Sequence, residues 1–85
     1  MSKKKNIEDD ILIFQEVSAN GPIRLDGIAL ATGVPNERCQ RSIQRLSRAQ
    51  RIFHAKGWKA TNLGKTWLET VVAITPEVVQ SVGEP

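Results

Sequence analysis

Four residues, Thr32-Gly33-Val34-Pro35, restrict the fold of this chain more than any other stretch. A glycine at such a point supplies the positive φ angle that stops a helix, the valine after it turns into a core, and proline opens a new helix although it cannot continue an old one. Before the stop lies Asp26-Gly27-Ile28-Ala29-Leu30-Ala31, small and apolar, with Asp26 placed to cap it. After it, opened by Pro35 or Asn36, Cys39, Ile43 and Leu46 recur on one helical face. Arg38, Gln40, Arg41, Gln44, Arg45 and Arg48 occupy the other faces. The spacing predicts two helices joined by a tight turn, the second amphipathic and cationic.

The flanks complete the outline. Ile7, Ile11, Phe14 and Val17 or Ser18 keep helical spacing, with Leu12 and Ile13 beside them. They predict a helix over residues 7–19, capped by Asn6, with Glu8, Asp9 and Asp10 complementing the helix dipole in its first turn. Asn20-Gly21-Pro22 reads as a left-handed stop, and Ile23-Arg24-Leu25 as a single edge strand. Ile52-Phe53-His54 and Trp58-Lys59-Ala60 read as two short strands about a turn at Lys56-Gly57. Thr61 caps a further helix through Leu63, Trp67, Leu68, Val71 and Val72, and Thr75-Pro76-Glu77 starts a weak segment containing Val78, Val79 and Val82. The expected organisation is a basic tail over residues 1–6, one domain over 7–74, and a C-terminal tail over 75–85. Ile11, Phe14, Ile28, Ala29, Val34, Ile43, Leu46 and Trp67 are expected to share its core.

Charge is unevenly distributed along the 85 residues. Between Val34 and Lys65 the basic residues Arg38, Arg41, Arg45, Arg48, Arg51, Lys56, Lys59 and Lys65 face one acid, Glu37, whereas the formal charge of the whole chain is only +3. Segregation of this kind is the electrostatic footprint of a surface for a polyanion. One cysteine excludes an internal disulfide and a zinc site built from cysteine pairs, and points to a reducing, cytoplasmic setting. No run approaches the roughly 20 apolar residues of a membrane helix. Gly64-Lys65-Thr66 lacks the glycine that a phosphate-binding loop requires five residues earlier, where Lys59 stands. With no paired carboxylates beside a nucleophile and no metal-ligand cluster, neither an enzyme nor a cofactor is expected.

The order helix, short strand, helix, turn, helix, hairpin, helix resembles a winged helix-turn-helix, and the chain is similar to the DNA-binding domains of IclR-type and MarR-type bacterial regulators. Leu25-Asp26-Gly27-Ile28-Ala29-Leu30-Ala31-Thr32-Gly33-Val34-Pro35 resembles the family's run of apolar residue, cap and Leu-Ala, closed by Thr-Gly-Leu-Pro. Ala60-Thr61-Asn62-Leu63-Gly64-Lys65-Thr66-Trp67-Leu68 resembles the segment that follows the wing, in which Leu-Thr precedes a glycine and two leucines. The likeness covers residues 7–72. Two positions depart from it: Gln50 stands where a glycine usually ends the third helix, and Ser42 where a large apolar residue is common.

The resemblance implies a mainly α fold with a small β-hairpin, binding double-stranded DNA as a small stand-alone prokaryotic, phage or plasmid transcription regulator. By matching positions, Asn36, Glu37, Gln40, Arg41 and Gln44 face base edges in the major groove. Arg38, Arg45, Arg48, Lys56, Lys59 and Lys65 lie near phosphates. A single module buries little surface, so a homodimer is expected, with the first helix, the fourth and the Val78-Val79-Val82 segment as its interface. No small-molecule effector is expected. The rival function is a protein-interaction module, in which the third helix or the wing docks on an acidic protein surface. Trp58 reads either as a wedge at the duplex edge or as packing across the hairpin, His54 as an exposed residue of the wing, and Cys39 as a small buried apolar residue.

Overall fold

The computed structural model describes residues 2–74, with side chains over 6–71. Their order is α1 (Ser2–Asn20), α2 (Leu25–Thr32), α3 (Asn36–Arg48), β1 (Ile52–His54), β2 (Trp58–Ala60) and α4 (Asn62–Ile74). The described residues are thus mainly helical, with one antiparallel hairpin in which Ile52 pairs with Ala60, Phe53 with Lys59 and His54 with Trp58. Thr75 and everything after it, including the Val78-Val79-Val82 segment, fall outside the described residues.

Ile13, Phe14 and Val17 of α1 meet Ile28, Val34, Cys39, Ile43, Leu46 and Ile52 in one buried cluster. Ile11 is also buried, while Ala29 and Trp67 pack against the cluster only partly covered. Trp67 stands edge-on to Phe14, with ring centroids 5.6 Å apart. α4 reaches this position because residue 64 is a glycine. A Cβ there would lie 2.3 Å from the Arg51 carbonyl oxygen and 2.4 Å from the Phe14 ring, so only a bare backbone lets α4 start against α1. Thr61 caps α4 as its sequence predicts: its hydroxyl accepts the Gly64 N–H at 3.0 Å.

The turn between α2 and α3 follows its residues closely. Gly33 has φ 77° and donates its N–H to Ala29. The Thr32 hydroxyl donates to the Ile28 carbonyl at 2.8 Å and accepts the Val34 N–H at 3.2 Å, tying the helix end to the residue that enters the core. α3 ends on Gln50 at φ 62°. The Arg51 N–H reaches back to Leu46 and the Gln50 N–H to Ser47, the hydrogen-bond pattern of a left-handed helix stop with glutamine in the place glycine favours.

Several boundaries differ from expectation. α1 begins at Ser2, so Asn6 lies inside the helix and caps nothing; no glycine or proline interrupts residues 2–6, and lysine is a good helix former. Gly21 is not in the left-handed region. It ends α1 by close approach, since a Cβ there would lie 2.6 Å from the Val17 oxygen and 2.8 Å from the Trp58 oxygen. The expected edge strand shrinks to a single bridge from Ile23 to Trp58, because Leu25 already belongs to α2. Arg24, not Asp26, is the cap position of α2, and the Asp26 carboxylate accepts the N–H of Gly27 instead.

Candidate nucleic-acid interface

α3 advances about 100° per residue, which sorts most of its thirteen residues into three strips. Cys39, Ser42, Ile43 and Leu46 form the buried strip. Glu37, Gln40, Arg41, Gln44 and Arg48 form an exposed strip opposite to it, with exposed Asn36 at the N-terminal end. Arg38 and Arg45 lie between the two, on the side facing α1.

What α1 presents to those arginines was not foreseen. α1 starts five residues earlier than expected, so Asp9 and Asp10 lie beyond its first turn, and both are nearly buried and face α3. The Arg38 guanidinium holds Asp9 through two hydrogen bonds, Nε at 3.0 Å and Nη2 at 2.7 Å. Arg45 donates to Asp10 from Nε at 3.2 Å and from Nη2 at 2.8 Å. The Ser42 hydroxyl, completely buried, donates to the same Asp10 carboxylate. Ser42 is therefore no gap in the apolar strip but the donor that lets an aspartate be buried there. The chemistry is demanding, since a buried carboxylate is tolerated only with its lone pairs filled. Among the described residues no buried side-chain nitrogen or oxygen lacks a partner.

Arg38 and Arg45, expected near phosphates, are thus committed to α1. Their side chains retain 39 % and 34 % exposure, but their charges are offset by Asp9 and Asp10. Arg38 is held further toward its charged form by the Asp9 hydrogen bonds, against a cost of burial. Arg51, a third member of the basic block, lies over the Trp67 ring at 4.6 Å. Arg41 and Arg48 are exposed and form no ion pair among the described residues. The same holds for Lys56, Lys59 and Lys65, so within the basic block of residues 34–65 these five are exposed and unpaired among the described residues.

An open cleft of about 600 Å³ borders the exposed strip, with Gln40, Gln44, Ser47 and Arg48 on one wall, Leu25 and Trp58 on the other, and Ile43 below. Trp58 is half-buried and stands edge-on to His54, ring centroids 5.0 Å apart, so it packs across the hairpin. Cys39 is completely buried, and burial, aided by Asp9, pushes its thiol up to about 11; it is a core residue held neutral. The described residues contain no group of His, Cys, Asp and Glu able to hold a metal ion, and none of their helices is long and apolar enough to cross a membrane.

Comparison with known protein families, with curated proteins and with solved structures finds no match.

Proposed function

We propose that this chain binds double-stranded DNA with sequence preference, laying the exposed strip of α3 in the major groove as a winged helix-turn-helix with the β1–β2 hairpin as its wing. The observation that carries this reading is the sorting of α3. Its structural charges are neutralised against α1, while Gln40, Arg41, Gln44 and Arg48 project together, with no hydrogen bond or ion pair among the described residues to occupy them. Glutamine amides and arginine guanidinia are the groups that meet adenine and guanine edges bidentately, and a helix is the element the major groove admits. Asn36 and Glu37 stand at the N-terminal end of the same strip, where a helix entering the groove meets bases first. Lys56, Lys59 and Lys65 provide positive charge on the hairpin and the first turn of α4, suited to flanking phosphates. Regulation of transcription by occupying a site follows from such binding, and a second copy of the chain would supply the contact area that tight binding requires.

Selection of bound sequences from random duplexes, followed by fluorescence anisotropy on the enriched site, tests the reading. Enrichment of a defined motif, with Arg41→Ala losing preference for it, is the expected result. Absence of enrichment, or an Arg41→Ala chain indistinguishable from the parent, would sink it.

A second reading has its own observation. Leu30 on α2 is 88 % exposed and Leu63 on α4 is 56 % exposed, two apolar side chains outside α3 that could anchor a protein partner. If the chain is a protein-interaction module, Leu30→Ser abolishes partner binding and Arg41→Ala leaves it intact.

A further inference from the structure

A second, smaller cleft, of about 270 Å³, is lined by Arg24, His54, Lys56 and Gly57, which include the chain neighbours of Leu25 and Trp58 in the first. Three of these four residues carry side-chain N–H donors, and they come from two separate places in the chain, the residue before α2 and the hairpin. Among the described residues no acid lines the cleft; the Asp26 carboxylate, the nearest in sequence, accepts the Gly27 N–H.

The groups are also held relative to one another. Ile23 and Trp58 exchange two backbone hydrogen bonds, at 3.1 and 2.7 Å, which fix Arg24 beside the hairpin. Gly57, at φ 134°, lets the turn press onto that segment: a Cβ there would lie 2.8 Å from the Ile23 nitrogen and 3.0 Å from the Pro22 carbonyl carbon. Lys56 itself adopts φ 62°, and His54 is set by its edge-on contact with Trp58. The exposed Arg24 guanidinium makes no side-chain hydrogen bond or ion pair among the described residues. A concave, acid-free cluster of donors on a pinned frame is suited to one compact anion with several acceptor oxygens.

We propose that Arg24, His54 and Lys56 form a binding site for a single backbone phosphate of the DNA duplex, at the end of a track that starts at Gln40 and Gln44 and crosses Trp58. The inference rests on the DNA-binding reading above. It adds two residues, Arg24 and His54, that neither the charge block nor the family resemblance singles out. Consecutive residues, Leu25 with Arg24 and Trp58 with Gly57, line the two clefts, so the two adjoin along the chain. Because a phosphate carries no sequence information, the site contributes affinity and register but not preference.

The full chain, binding its selected duplex and an unrelated duplex across a salt series, provides the test. Arg24→Gln is expected to weaken both duplexes by the same factor, roughly eightfold at about 0.1 M salt, and to lower the salt slope by about one unit. Arg24→Lys should keep the parent slope, and His54→Gln should weaken both duplexes equally, with circular dichroism spectra like the parent's. Parent-like binding and slope for Arg24→Gln, while Arg41→Ala loses preference, overturns this site and leaves the DNA-binding reading standing. Loss confined to the selected duplex also overturns it, since the contact would then be to a base. A parent chain that binds no duplex overturns both.

Discussion

Arg45 and Arg48 sit three residues apart on the same helix, yet they belong to different environments. Arg45 faces α1, donates twice to a nearly buried Asp10 and shares that carboxylate with Ser42. Arg48 faces solvent and borders the cleft beside Trp58. The same contrast separates Arg38 from Arg41. An arginine's contribution is set by what surrounds it: where a carboxylate is buried beside it, the charge is used to hold two helices in register, and where none is, the charge remains for a ligand. Counting basic residues along α3 therefore overstates the charge available to a ligand, and the difference between the two flanks is measurable.

The largest expected effect is on the α1 side. Asp10→Ala leaves the Ser42 hydroxyl and part of the Arg45 guanidinium without an acceptor, and should lower unfolding free energy by about 3 kcal/mol in urea denaturation. A loss under 1 kcal/mol would mean that the network is solvated and contributes little. On the exposed side, Gln40→Ala and Arg41→Ala should each cost on the order of 1 to 3 kcal/mol in binding to a selected site, with unfolding free energy within about 0.5 kcal/mol of the parent. Comparing the flanks directly, Arg48→Ala should lower the salt slope of DNA binding by about one unit without changing stability. Arg45→Ala should leave the slope unchanged and lower stability by on the order of 2 kcal/mol. Equal slopes in the two variants would erase the distinction. The smallest effect is expected just past the helix: Gln50→Gly relieves a left-handed φ of 62° and should raise stability by up to about 1 kcal/mol, with DNA binding unaltered.

The sequence speaks clearly where one residue type has one physical reason to be present. Gly33 was legible because only a positive φ explains a glycine between two helical patterns, and Thr61 because a hydroxyl before an apolar helix has donors to accept. Cys39, Ile43 and Leu46 announced the buried strip of α3 by their spacing. The Asp10 network was less visible, although a signal existed. Asp10 falls on the stripe of Phe14 and Val17, four and seven residues on, and Ser42 on the stripe of Cys39 and Leu46. A polar residue inside an apolar stripe on each of two helices is a reason to pair them. Reading Asp9 and Asp10 as partners of the helix dipole depended on a start at Ile7, and that failed because nothing in residues 2–6 stops a helix. Arg24 and His54 lie thirty residues apart, and no local pattern reveals a cleft closed by a single backbone bridge.

The side-chain N–H resonances of arginine and glutamine, followed by NMR as a selected duplex is added, test the division of α3 most directly. Arg38 and Arg45 donate their Nε–H groups to Asp9 and Asp10 in the free chain, so their signals should be protected from exchange before DNA is added and should stay in place. Those of Arg41 and Arg48 should emerge or shift only with the duplex, together with the side-chain amides of Gln40 and Gln44. Duplex-induced shifts at Arg38 and Arg45, with Arg41, Arg48 and both glutamines unmoved, would contradict the assignment of the exposed strip as the DNA-reading surface.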